Sequence, residues 1–175
     1  MSKTIKTVLS AIIVVLIATF GYFFRSTPPT SISFQETSDG CLGVFVYKIN
    51  KDDTVGISVD ARKEELKLST TAQTFEVGKT DGLEVEILVG EQIKRLYCDD
   101  VSYLDQLEPR QLIGKSGEAI ISISGIDKSK PEEGKLYTAT VILRNVRFSD
   151  YKGSNSYITV DELIFKDVLV GWSIG

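Results

Sequence analysis

Apolar and polar positions alternate with a period of two along most of this chain, and the longest stretch that does not alternate is uncharged and mostly apolar. That stretch is Thr7 to Phe24, eighteen residues without a charged side chain. A helix rises about 1.5 Å per residue, so such a run covers roughly 27 Å, close to the hydrocarbon thickness of a bilayer at about 30 Å. The run predicts one N-terminal transmembrane helix, residues 7–24, acting as an uncleaved signal-anchor. A cleaved secretory signal, cut after Gly21, is the competing reading. It is disfavoured because Tyr22-Phe23-Phe24 carry the run past the small residues with bulky aromatics, which suit a membrane interface.

Lys3 and Lys6 precede the run and only Arg25 directly follows it, so the positive-inside bias places residues 1–6 in the cytoplasm. Everything from about Arg25 onward is then expected outside, in a periplasm or extracellular space. Residues 25–33, with Pro28-Pro29 among Ser and Thr, read as a juxtamembrane linker, and residues 34–175 as one extracytoplasmic domain.

Inside that domain the period of two predicts strands. Val44 to Ile49 is apolar on both faces, as a central strand requires, and Asn50-Lys51-Asp52-Asp53 reads as the turn after it. Val55, Ile57 and Val59 alternate with polar residues, as do Leu66 and Leu68, and Leu83, Val85, Ile87 and Val89. Phe75 and Val77 mark a shorter element, and Ile93 to Cys98 another strand. Val101 to Leu112 breaks the pattern, with Asp100 placed to cap a short helix that Pro109 ends.

Alternation resumes at Ala119 to Ser124, and an exposed loop is expected over Asp127 to Gly134. From Leu136 the apolar phase sits on Tyr137, Ala139, Val141 and Leu143, then moves to Val146 and Phe148. A one-residue slip turns every later side chain to the other face, so the phase change predicts a β-bulge at Arg144-Asn145. A hairpin loop over Ser149 to Ser156 then leads into a strand from Tyr157 to Val170. The expected fold is all-β, a two-layer antiparallel β-sandwich with a barrel as second choice. Trp172 follows both cysteines and Tyr97 directly precedes Cys98, so the immunoglobulin pattern of Trp and Tyr around the cysteine pair is not met.

Cys41 and Cys98 are the only cysteines, and in an oxidising compartment a single pair predicts a disulfide. Charge is uneven as well. Three of the 20 basic residues (Lys3, Lys6 and Arg25) lie at or before position 25, leaving 17 against all 24 acidic residues beyond it, a net of −7. An acidic domain is a poor partner for nucleic acid, whose binding rests on Lys and Arg contacts.

The chain contains no histidine. That excludes Ser-His-Asp and Cys-His catalysis, including sortase and L,D-transpeptidase arrangements, and removes the commonest zinc ligand. No cofactor is expected. Ser-Lys pairs at Lys115-Ser116 and Lys128-Ser129 read as loop residues, and the carboxylate pairs Asp52-Asp53 and Asp99-Asp100 as solvated turn charges. Asn50, Asp52 and Thr54 alternate like the oxygen ligands of a calcium loop, but Ala61 stands where the bidentate Glu should be. Gly114-Lys115-Ser116-Gly117 lacks the glycine that would make it a phosphate loop.

Trp172, Tyr157 and Tyr151 form the candidate binding surface, an aromatic platform for a protein or a glycan. These readings converge on a non-catalytic binding or structural subunit of the cell envelope with an envelope protein as partner, glycan second because one Trp is available. A hydrolase using carboxylates or Ser-Lys, and a calcium-dependent adhesion module, are the alternatives.

Overall fold

The computed structural model describes residues 32–98, 109–124, 137–150 and 157–171. The predicted anchor, the helix expected after Asp100, the 127–134 loop, Tyr151 and Trp172 lie outside the described residues. Among the described residues the strands are β1 (Asp39–Cys41), β2 (Phe45–Ile49), β3 (Val55–Ala61), β4 (Gln73–Glu76), β5 (Leu83–Val89), β6 (Arg110–Ile123), β7 (Tyr137–Asp150) and β8 (Tyr157–Val170), with one short helix, α1 (Lys63–Leu66). No helix among them is long and apolar enough to cross a membrane.

The strands form a single sheet in the order β1-β2-β3-β5-β6-β7-β8, with β4 paired to β6. Every pairing is antiparallel. The expected fold was two sheets face to face; the observed one is a single sheet curled until its edges nearly meet. The amide of Gly171, just past β8, donates to the carbonyl of Leu42, just past β1, at 2.5 Å. A Cβ at Gly40 would sit 2.8 and 2.9 Å from methyl carbons of Val168 and Val170, so the closure brings β8 side chains onto bare β1 backbone. The barrel, second of the two expected architectures, therefore describes this fold better. The reason is strand length: β6, β7 and β8 have fourteen residues each, and long twisted strands coil until one sheet encloses its own core.

The interior is one apolar cluster that includes Val46, Ile57, Ile87, Ile121, Val141 and Phe148, all buried, with Ile32 and Phe34 packed against it from the segment before β1. The phase change in β7 is a bulge, as its apolar pattern predicts. Glu118 pairs with Arg144 but Ser116 pairs with Arg147, so β7 carries one extra residue there. Asn145 takes it up with φ +50°. Two residues on, Ser116↔Arg147 is followed by Gly114↔Phe148, an extra residue on β6 that restores the register. A third irregularity sits on β8, where Ala139↔Val168 is followed by Val141↔Phe165. Asp167, φ +50°, fills it, and its amide donates to Thr140 Oγ1 at 3.2 Å.

Two predicted strands are replaced by turns. Leu66 and Leu68 are both buried as their alternation requires, but Leu66 ends α1 and Lys67 is left-handed at φ +53°. A left-handed residue between two others returns both to the same side, so the spacing of two imitates a strand. Ile93–Leu96 is a 3₁₀ turn rather than a strand. Asp53 holds it in place, its Oδ1 accepting from the Lys94 amide at 2.7 Å and its carbonyl from the Ile93 amide at 3.2 Å.

That turn covers the outside of the barrel. Tyr47, Leu88, Ile93 and Tyr97 make a second cluster on the outer face of β2, β3 and β5, joined by Phe45. Tyr47 and Tyr97 stack with ring centroids 4.7 Å apart. Strand β2 is thus buried on both faces, which explains why its sequence does not alternate. Cys41 and Cys98 form the predicted disulfide, with Cα atoms 5.9 Å apart, tying β1 to the end of this covering segment.

Candidate functional site

Strand β6 changes partner along one edge. Its first part, Arg110 to Ile113, pairs with β5, and its later part, Glu118 to Ile121, pairs with β4. Between them β5 leaves β6 and follows β3 alone, so the sheet forks. Gly114 sits at the fork, where a Cβ would lie 2.7 Å from a Val77 methyl and 3.1 Å from the Val85 carbonyl oxygen.

The fork opens into a cleft of about 600 Å³. Its charged lining comes from Arg62 and Glu65 at α1, Lys79 and Asp81 in the β4–β5 turn, and Glu84 and Glu86 on β5. Arg62 bridges two walls, meeting Glu65 at 3.2 Å and Glu84 at 3.4 Å, and these carboxylates raise its pKa further. Lys79 is turned to Glu76 at 2.7 Å, which in return lowers the Glu76 pKa. Glu86 accepts from Gln111 Nε2 at 2.5 Å and from the buried Ser58 hydroxyl at 3.4 Å.

Asp60 stands directly opposite Glu84 across β3 and β5. It is half-buried, and desolvation together with the Glu84 charge raises its pKa, with Arg62 opposing the shift. Further along the same face, the Tyr97 hydroxyl is buried without a hydrogen-bond partner. Burial pushes its pKa up, helped by Glu86. Ser58 is near enough to oppose that shift, yet its hydroxyl donates to Glu86, so we read the Tyr97 oxygen as unpaired. The cleft and this face together offer carboxylates of two kinds, one set ion-paired to Arg62 and one crowded by its own sign.

The candidates read from sequence are placed as follows. Asn50 closes the β2–β3 turn: its Oδ1 accepts from the Thr54 and Val55 amides, each at 2.9 Å, and its Nδ2 donates to Thr54 Oγ1 at 2.9 Å. Asn50 and Thr54 therefore staple a turn, and Asp52 is exposed beside them. No group of three or more acidic or cysteine ligands suited to a metal ion occurs among the described residues. Lys115 and Ser116 are exposed on β6 at its extra residue, and Lys128-Ser129 lies outside the described residues. Tyr157 opens β8 and Gly171 follows its other end, roughly 40 Å of strand apart, and Tyr151 and Trp172 lie outside the described residues.

Sequence reasoning missed the cleft, the Asp60 and Glu84 pairing, and the burial of Lys48. The charges of β3 and β5 were visible as the wet face of two strands, but which stand opposite each other depends on a register between segments 24 residues apart. No family model matches this chain, and no curated protein or solved structure matches it.

Proposed function

We propose that this chain is a membrane-anchored, extracytoplasmic binding or structural subunit of the cell envelope, carrying no catalytic centre of its own. The observation that carries the reading is the Cys41–Cys98 disulfide in a domain that follows an uncharged run of eighteen residues. A cross-link of that kind belongs to an oxidising compartment, and the run supplies both export and tether. The absence of histidine removes the imidazole base of Ser-His and Cys-His catalysis. The forked cleft gives a partner protein a concave, charged surface to engage; a glycan is the less favoured ligand, with Trp172 the single indole available.

The test is photocrosslinking of the full-length chain in its membrane from the cleft positions Lys79 and Gln111 and from Trp172, read by mass spectrometry. A discrete heterologous adduct that disappears when Glu84 and Glu86 are neutralised supports the reading. Self-adducts alone, or none, count against it.

The opposed Asp60 and Glu84 favour a second reading, a carboxylate hydrolase. Glycoside hydrolysis needs one protonated and one ionised carboxyl, and Asp60 is held toward its protonated form while Glu84 is ion-paired to Arg62. Glycosidase activity against cell-wall polysaccharide that is lost in D60N supports this reading. Activity unchanged in D60N removes it.

A further inference from the structure

Strand β5 pairs with β3 along its whole length but with β6 only from Glu86 onward. Successive residues of a strand turn their backbone groups to opposite sides. On β5 the even positions face β3: the Gly82 carbonyl accepts from the Arg62 amide at 2.8 Å, and the Gly90 amide donates to the Thr54 carbonyl at 2.9 Å. The odd positions face the other way. Ile87 and Val89 meet Leu112 and Arg110 of β6 there, whereas Leu83 and Val85 lie beyond the last rung, Glu86↔Ile113, where the sheet forks. The Leu83 amide turns back to the Thr80 carbonyl at 3.3 Å, so the Leu83 carbonyl and the Val85 amide form a short strand edge outside the ladder. Such an edge is a template for one more strand, and the cleft beside it, about 600 Å³, is of the size that holds a ligand segment.

The rim of this edge is acidic. Glu65, Asp81, Glu84 and Glu86 line the cleft with Arg62 and Lys79, and Asp60 and Glu76 stand directly beside them. Arg62 is shared between Glu65 and Glu84, and Lys79 is turned to Glu76. Among the described residues Asp60, Asp81 and Glu86 make no ion pair, so two cations answer six carboxylates. Asp60 registers the surplus: desolvation raises its pKa most, Glu84, Glu86 and Glu65 raise it further, and Arg62 alone opposes them. Behind Glu86, at the inner end of this wall, the Tyr97 hydroxyl is the one buried side-chain polar atom without a partner among the described residues. It lies within reach of Ser58 and of the Glu86 charge.

We propose that the forked cleft receives an extended, basic segment of a partner protein, its backbone continuing the β5 ladder at Leu83 and Val85 and its Arg or Lys side chains answered by Glu86 and Asp81. This deepens the binding-subunit reading and rests on it. Arg suits the place better than Lys, because its five donors can serve several carboxylate oxygens at once. When Glu86 turns to the incoming cation, the Ser58 hydroxyl, 3.4 Å from Glu86 in the free chain, is released to the Tyr97 oxygen. The acidic rim meanwhile repels neutral and acidic strands from the same edge.

The experiment pans short random peptides on phage against the full-length chain in neutral detergent, then measures the enriched peptides by fluorescence anisotropy on wild type and variants. Enriched sequences with Arg or Lys at alternate positions, bound about fivefold more weakly by D81N/E84Q and lost when one alternate set of peptide amides is N-methylated, support the site. E86Q should weaken binding further. Because Asp81 and Glu84 are exposed, their double variant decides the matter even where E86Q does not fold. Enriched peptides without basic residues, or affinities unchanged in D81N/E84Q or by N-methylation of either set, overturn the proposal and leave the carboxylates as a guard on a strand edge. Crosslinking from Lys79 and Gln111 separates this failure from that of the reading beneath it. A heterologous adduct on a non-basic segment keeps the binding subunit and overturns the basic partner, whereas no adduct counts against the subunit itself.

Discussion

Breaking the Cys41–Cys98 cross-link is the perturbation whose size follows most directly from the fold. The bond closes a loop spanning 57 positions, and the chain-entropy model gives such a loop about 4 kcal/mol of stabilisation through its restriction of the unfolded state. For a domain of this size each kcal/mol moves Tm by roughly 3 °C, so the loss is about 12 °C. Two routes remove the bond, mild reduction of the wild type and the C41A/C98A variant. They differ in packing, because Cys41 is buried, and the two should agree within about 1.5 kcal/mol if the cross-link dominates. Urea unfolding of oxidised and reduced protein, followed by far-UV circular dichroism, measures the free energy and the slope, and a thermal scan of the same samples measures Tm. Reduction should lower the midpoint and raise the slope, since an uncrosslinked unfolded chain exposes more surface. A fall in Tm under about 3 °C with an unchanged slope would refute the reasoning, for it would mean the unfolded chain was not being held by this bond.

Three further outcomes are expected. G117A should cost roughly 2 to 5 kcal/mol, read by urea unfolding, because Gly117 sits at φ +121° with a new Cβ 2.7 Å from the Val146 backbone, combining strain with a contact that cannot yield. Y97F should be neutral or stabilising by about 1 kcal/mol at pH 7, since it deletes a buried hydroxyl without a partner. The same variant tests the alkaline limb: the folded Tyr97 pKa lies above its ordinary value, so its contribution is complete below pH 10 and is lost as pH rises beyond it, and Y97F should unfold less steeply with rising pH. D60N should raise Tm at pH 7 and lose that advantage toward pH 3, because the raised folded pKa of Asp60 makes its ionised form the destabilising one; an equal gain at both pH values would contradict a carboxyl raised by desolvation and by Glu84.

How much of this was legible in the sequence depends on how local each feature is. The period of two located most strands, the exact span of β8, and the bulge at Asn145, because a phase change leaves its mark within a few residues. The disulfide followed from a count of two cysteines and an inferred compartment. The left-handed residue at Lys67 was not visible, and it made a turn resemble a strand by placing Leu66 and Leu68 on one face, while the 3₁₀ turn over Ile93–Leu96 depends on the distant Asp53. One curled sheet against two stacked ones was beyond local pattern altogether, since it depends on how far fourteen-residue strands coil and on β6 sharing one edge between β4 and β5. The same holds for Lys48. A lysine in an apolar strand reads as a solvent-facing position, and only the segment before β1, folding back across the end of β2, supplies the carbonyls that draw it in.

The central claim is that the barrel stands outside a membrane, tethered by residues 7–24. It is tested most directly by labelling intact cells with a membrane-impermeant maleimide, using the full-length chain carrying a new cysteine at Lys79, which is well exposed at the cleft, or at Ser2. The account predicts that K79C is labelled before lysis, that S2C is labelled only after it, and that Cys41 and Cys98 resist labelling until they are reduced. Labelling of S2C with protection of K79C, or Cys41 and Cys98 recovered from cells as free thiols, would contradict it.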